Sequence, residues 1–157
     1  MMRHLRVILP LLLLLGAWLP PATADDKAPV EIEVWVIRAT KQNKDVSKEL
    51  TDLADALKKQ FKYTGFDLAK KISKKDLGLG KTHKADMIDG YQIAVTPKAR
   101  TGKRIQVELQ ITRRVGKDKK EETVLKTTMT IPSGPFLPVG CGPLSGGDYL
   151  ITAVRAR

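Results

Sequence analysis

Nucleophilic chemistry needs an activated side chain and a base to take its proton, and after residue 24 this chain offers one cysteine, Cys141, and one histidine, His83. A thiolate with an imidazole partner is a workable pair. Any chain holding one of each contains such a pair, however, and the 57 residues of strand-like sequence between them give no reason to join them. Glu31 and Glu33 are the carboxylates closest to a glycosidase pairing, but one strand period near the start of a segment is the ordinary place for exposed strand acids. With a single imidazole and a single thiol, no zinc or copper site of several nitrogen or sulfur ligands can be built in one copy. Asp86 with Asp89 falls short of the clustered oxygens that calcium requires. Gly140-Cys141-Gly142 and Ser145-Gly146-Gly147 lack the following helix or lysine that completes a phosphate cradle. The sequence therefore designates no catalytic, cofactor-binding or metal residue, and the expectation is a protein that is not an enzyme and carries no cofactor.

What the side chains do supply in quantity is positive charge: 28 Lys and Arg against 17 Asp and Glu, a formal net charge of +11. An excess of that size raises the question of an anionic partner such as nucleic acid, lipid or an envelope polysaccharide. The charge gathers at Lys70 to Lys75, Lys98 to Arg104 and Arg113 to Lys120. The last two groups flank one strand of about ten residues, which sets them roughly 30 Å apart and keeps them from forming one patch. Trp35, Tyr63, Tyr91 and Tyr149 are scattered outside these groups, which argues against sequence-specific nucleic-acid recognition.

Residues 1 to 24 read as a cleaved signal peptide. Arg3, His4 and Arg6 precede the apolar run Val7 to Leu15, Pro20 and Pro21 break it, and Ala22-Thr23-Ala24 supplies the small residues of a cleavage site. The run is too short for a membrane span of ~20 residues, and with no cysteine after it, lipidation there has no thiol to use. Cleavage leaves 133 of the 157 residues and lowers the charge to +9, because Arg3 and Arg6 go and no acid does. Residues 25 to 29 form a flexible lead-in and 30 to 157 suffice for a single domain. One cysteine cannot form an intrachain disulfide. Cys141 is thus either buried or free to bridge two copies, and its uncharged neighbours Val139, Gly140, Gly142 and Leu144 favour burial.

The elements that position these side chains follow from periodicity. Val30, Ile32, Val34 and Val36 alternate with Glu31, Glu33, Trp35 and Ile37, a strand whose second face becomes covered towards its end. From Ser47 to Phe61 the period becomes helical, with Val46, Leu50, Leu53, Ala54, Leu57 and Phe61 on one stripe, Ser47 or Asp45 as cap, and Gly65 as exit. Phe66, Leu68 and Ile72 suggest a second strand, blurred by the lysine run; residues 76 to 86 give no clear pattern beyond a turn at Gly78 and Gly80. Tyr91, Ile93 and Val95 lead to Pro97. Ile105, Val107, Leu109 and Ile111 form the clearest strand, joined to the preceding one by a hairpin turn at Gly102. Turns at Gly116 to Lys119 and Pro132 to Pro135 bracket a strand through Leu125, Thr127, Met129 and Ile131, and Tyr149 to Val154 closes the chain.

The segment Thr127-Thr128-Met129-Thr130-Ile131-Pro132-Ser133-Gly134-Pro135-Phe136-Leu137-Pro138-Val139-Gly140, followed by Ser145-Gly146-Gly147-Asp148-Tyr149-Leu150-Ile151, resembles the closing hairpins of small exported domains of unassigned function in environmental Gram-negative bacteria. It is also faintly similar to the short β-hairpin motif of outer-membrane secretin channels. The chain departs from the secretin pattern in lacking long pore-forming strands and in having Cys141 where a further glycine pair would stand. The resemblance, over the last thirty residues or so, implies terminal hairpins and nothing about activity.

The fold expected is α+β: a mostly antiparallel β-meander of five to seven strands with one helix packed on one face. The function expected is that of an exported, periplasmic or extracellular, binding domain without a transmembrane anchor in its mature form, an accessory of a cell-envelope assembly that acts through a sheet edge or polar face. The alternative is a basic surface binder of anionic envelope polymers or lipids.

Overall fold

A computed structural model of the chain describes residues 27–157. The cleaved leader expected at residues 1 to 24, and the start of the lead-in, lie outside the described residues. The strands are β1 (Val30–Thr40), β2 (Gly65–Leu77), β3 (His83–Asp86), β4 (Tyr91–Thr101), β5 (Arg104–Val115), β6 (Lys120–Pro132), β7 (Leu137–Pro143) and β8 (Tyr149–Ala156). Between β1 and β2 a 3₁₀ segment, Lys48–Leu53, runs on into α1 (Ala54–Gln60). No helix among the described residues is long and apolar enough to cross a membrane.

The strands form two four-stranded sheets, ordered β2-β1-β8-β7 and β3-β4-β5-β6, every pair antiparallel. The expectation of one meander of five to seven strands is corrected here. Only β3 to β6 make a meander. β1 pairs with β2 on one side and with β8 on the other, a partner more than a hundred residues away. The reason lies in side chains that a one-faced meander cannot house. In β8, Leu150, Ile151, Thr152, Ala153 and Val154 are all buried, and such an unbroken run needs cover on both faces.

Sheet β2-β1-β8-β7 is accordingly the middle of three layers. Its inner face, with Val30, Ile32, Val34, Val36, Leu150, Val154 and Ala156, packs against Ile93, Val95, Ile105, Val107, Leu109, Ile111 and Ile131 of the second sheet. Its outer face, with Ile37, Ala39, Ile151 and Ala153, takes the helical segment through Leu50 and Leu57, and Phe66 joins them. The helical stripe and the one-surface packing are as the periodicity predicts. The cap is not: the Ser47 hydroxyl donates to Asp67 Oδ1 (3.0 Å) and accepts the Leu68 amide (2.9 Å), tying the helix start to β2, and the first turns are 3₁₀.

The lysine run does not interrupt β2, which continues through it to Leu77. Registration with β1 explains why. Lys70, Ile72 and Lys74 stand opposite Val36, Val34 and Ile32, so all three lie on the inner face, with Ile72 in the core. The lysines flank it at the sheet edge, and Lys70 Nζ reaches across to the Asp86 carbonyl at 2.7 Å.

Candidate functional site: a free strand edge beside a polar sheet face

The residues suited to chemistry are dispersed. Cys141 lies on β7 in the sandwich interior, with Sγ 3.5 Å from Thr152 Oγ1 and 3.6 Å from the Val139 carbonyl. Burial pushes its thiol up to about 11, against the opposing hydrogen bonds of Thr152. His83 is on β3. Because β2 adjoins β3 and β7 adjoins β6, the two residues occupy opposite sides of the sandwich and are not brought together. Glu33 is committed to its own neighbours on the outer face of β1: it accepts from Trp35 Nε1 at 2.7 Å and pairs with Arg155 and with Arg157 (3.4 Å). Burial acts to raise its carboxyl, but hydrogen bonds from Arg155 and Trp35 and the two guanidinium charges prevail and leave it below the ordinary range. Glu31 is 3.9 Å from Arg157. Arg155 also covers Phe136, whose ring centroid is 4.2 Å from that of Trp35, so this corner is a packed aromatic and ionic cluster.

Asp86 accepts from Gln92, whereas Asp89 accepts from the Ser145 amide (2.8 Å), the Ser145 hydroxyl (3.1 Å) and Arg113 (3.2 Å), closing one end of the sandwich. They converge on no common point, and among the described residues no three His, Cys, Asp or Glu side chains gather as metal ligands would. The glycines of β7 serve packing. A Cβ at Gly140 would lie 3.0 Å from Phe61 and 3.1 Å from the Tyr149 hydroxyl, and one at Gly142 would lie 2.7 Å from the Tyr91 hydroxyl. The basic turns after β4 and β5 sit at opposite ends of β5, whose 12 residues separate them by roughly 40 Å.

The sheets nevertheless end somewhere, and their four edges differ. An edge strand offers unpaired backbone groups to any extended chain, and proteins blunt such edges with short strands, proline, bulges or inward-pointing lysine. On β2 the guard is Lys70 and Lys74. On β7 it is Pro138 and Pro143, with a bulge between Gly140 and Gly142. β3 has only four residues. β6 has 13 residues, pairs among the described residues with β5 alone, and from Leu125 to Ile131 contains no proline, glycine or bulge. Its inner row, Leu125, Thr127, Met129 and Ile131, stands opposite Ile111, Leu109, Val107 and Ile105 and carries no charge. The β5 members of these pairs are fully buried, but Leu125, Thr127 and Met129 are only half-buried. The adjacent bulge residue, Val124, is 41% exposed.

The outer face of the same sheet is polar. Gln106, Glu108, Gln110 and Thr112 of β5 alternate with the core row, as their sequence pattern predicts. Ala94 lies beside Lys84 and Gln110 in register and leaves a depression of about 210 Å³ bounded by Gln92, Thr112, Glu121 and Thr123. Thr112 Oγ1 donates to Glu121 Oε1 at 2.7 Å, fastening its β6 side. The free edge was not legible in the sequence, because alternation of apolar and polar residues is the same for an edge and a central strand. The available signal was negative: lysine at inward positions of β2 and proline in β7 mark edges, and β6 has neither between Leu125 and Ile131. Comparison of the chain with models of known protein families, with curated proteins and with solved structures finds no match.

Proposed function

We propose that this chain is a non-enzymatic exported binding domain, an accessory of a cell-envelope assembly, that engages its partner by strand addition along β6. The observation that carries the reading is the edge left unguarded among the described residues, β6 from Leu125 to Ile131, whose uncharged inner row is half-buried at Leu125, Thr127 and Met129. Backbone pairing supplies affinity in such a contact, and the alternate side chains supply selectivity. The export component rests on the composition of residues 1 to 24.

The test is capture from envelope extract, at low and high salt, with the wild-type chain and with Thr127→Lys. That substitution gives β6 the inward lysine that protects β2. Retention of one defined species at high salt, lost with Thr127→Lys, is the expected result; capture indifferent to the substitution, or nothing above background, refutes the reading. A second reading draws on the lysines of β2 and its continuation into β3, Lys70, Lys71, Lys74, Lys75, Lys81 and Lys84, as a stripe for an anionic polymer or lipid surface. It requires retention on a heparin-like matrix that falls steeply with salt.

A further inference from the structure

Resting on the strand-addition reading, we propose that the chain which completes β6 is β6 of a second copy, paired antiparallel about a two-fold axis through Thr128. An antiparallel register centred on a residue opposes positions of equal parity. Inner side chains then meet inner side chains, and the backbone groups that point away from β5 meet one another. Centred on Thr128, the pairing uses the whole regular segment: Leu125 opposes Ile131, Lys126 opposes Thr130, Thr127 opposes Met129, and Thr128 opposes itself. The inner rows of the two copies join into one uncharged ridge that covers Leu125, Thr127 and Met129, which are half-buried in a single chain. On the outer face no like charges meet, since the one lysine of the segment falls opposite a threonine.

Neighbouring registers are poorer. Centring on Lys126 sets two ammonium groups directly opposite, which is destabilising. Centring on Thr127 pushes Thr130 against the bulged Val124 and costs Ile131 its partner row. The segment is delimited on one side by that bulge and on the other by Pro132, so Thr128 is the centre that wastes none of it. The product is a continuous sheet in the order β3-β4-β5-β6 followed by the same four strands of the second copy reversed. It has an isologous contact, and β3, the shortest strand, closes both ends.

Sedimentation velocity of the purified chain over a range of concentrations, with three variants, tests this. The wild-type is expected to exchange between monomer and dimer, and Thr127→Lys to remain monomeric. Thr128→Cys is expected to form a disulfide dimer on mild oxidation, because directly opposed residues have Cα atoms about 4.5 to 5.5 Å apart, within disulfide reach. Lys126→Cys is expected not to, because the two introduced thiols would be four positions out of register, about 13 Å. Cys141, buried on β7, does not compete. A chain that is monomeric at all concentrations, with no bridge through Thr128→Cys, overturns the proposal. If capture from extract is still lost with Thr127→Lys, strand addition stands and its partner is another protein. A dimer indifferent to Thr127→Lys and not bridged at Thr128 also overturns it, and places the contact elsewhere.

Discussion

Gly142→Ala is the substitution for which this fold makes the sharpest demand. The added Cβ would stand 2.7 Å from the Tyr91 hydroxyl oxygen, with the ring carbons behind it at 3.5 and 3.7 Å. Tyr91 is 2% exposed, so its ring has no solvent to swing into and must retreat by about 0.6 Å or more to restore van der Waals separation. That retreat strains the hydrogen bond the hydroxyl donates to the Pro143 carbonyl, 2.9 Å long. Overpacking of a closed site costs ~1–3 kcal/mol, and weakening this partly buried hydrogen bond adds ~1 kcal/mol. The expected loss is roughly 2.5 kcal/mol, a fall in Tm of roughly 10 °C for a domain of this size. Tyr91→Phe removes the offending oxygen along with its bond and should cost ~1 kcal/mol by itself. In the Tyr91→Phe background, Gly142→Ala then meets a smaller neighbour, and the double variant should be more stable than the sum of the two losses predicts by at least ~1 kcal/mol. Urea unfolding of the four chains measures this. Strict additivity, to within ~0.5 kcal/mol, would show that Gly142 and Tyr91 do not compete for the same space and would refute the packing argument for β7.

Two further outcomes follow from titrating groups. The Cys141 thiol, pushed by burial from 9.0 up to about 11, should react with an alkylating reagent at pH 8 at least ~100-fold more slowly in the folded chain than in urea; since the unfolded thiol ionises first, stability should also decline as pH rises above 9.0, and a Cys141→Ala chain should show a smaller decline, that of Tyr91 and Tyr149, whose hydroxyls burial also raises. Glu33 has a depressed folded value, so its ion pairing stabilises fully above the ordinary 4.5 and is lost as pH falls through the lower folded value; Glu33→Gln should flatten the acid limb of the urea midpoint plotted against pH, and an unchanged limb would mean that Arg155 and Arg157 contribute no net stabilisation there.

Much of the local structure was legible because it is written in nearest-neighbour periodicity. The alternation through Val36, the switch to helical spacing at Ser47, and the hairpin at Gly102, whose φ of 57° is the conformation such a turn requires, each involve residues a few positions apart. Lys70 to Lys75 misled because charge on a strand reads as a loop until its register shows lysines flanking Ile72 at an edge. The two-sheet arrangement was hidden for a different reason. Which strands pair is decided by contacts such as Trp35 opposite Ala153, and no short window contains both. The candidate edge was invisible on the same account: β6 is an edge because, among the described residues, no strand other than β5 pairs with it.

The pairing of β1 with β8 carries a consequence for how the molecule is made. The Glu31 amide donates to the Arg157 carbonyl at 2.8 Å and the Arg157 amide to the Glu31 carbonyl at 2.9 Å, so the first strand is sealed by the last residues of the chain. The β4-β5-β6 hairpins close over short loops and can form as soon as they emerge. β1 and β2 can pair but have no β8 between them and β7, and the surface on which the helix rests is half absent until residues 149 to 156 arrive. Contacts of that separation are slow, because the loop-closure entropy is lost before any burial compensates it. An ordered assembly is the expectation, with the β3 to β6 sheet formed first, its apolar face uncovered, and the middle layer completed once β8 has been made. A chain built this way is expected to stay open for as long as β8 is withheld.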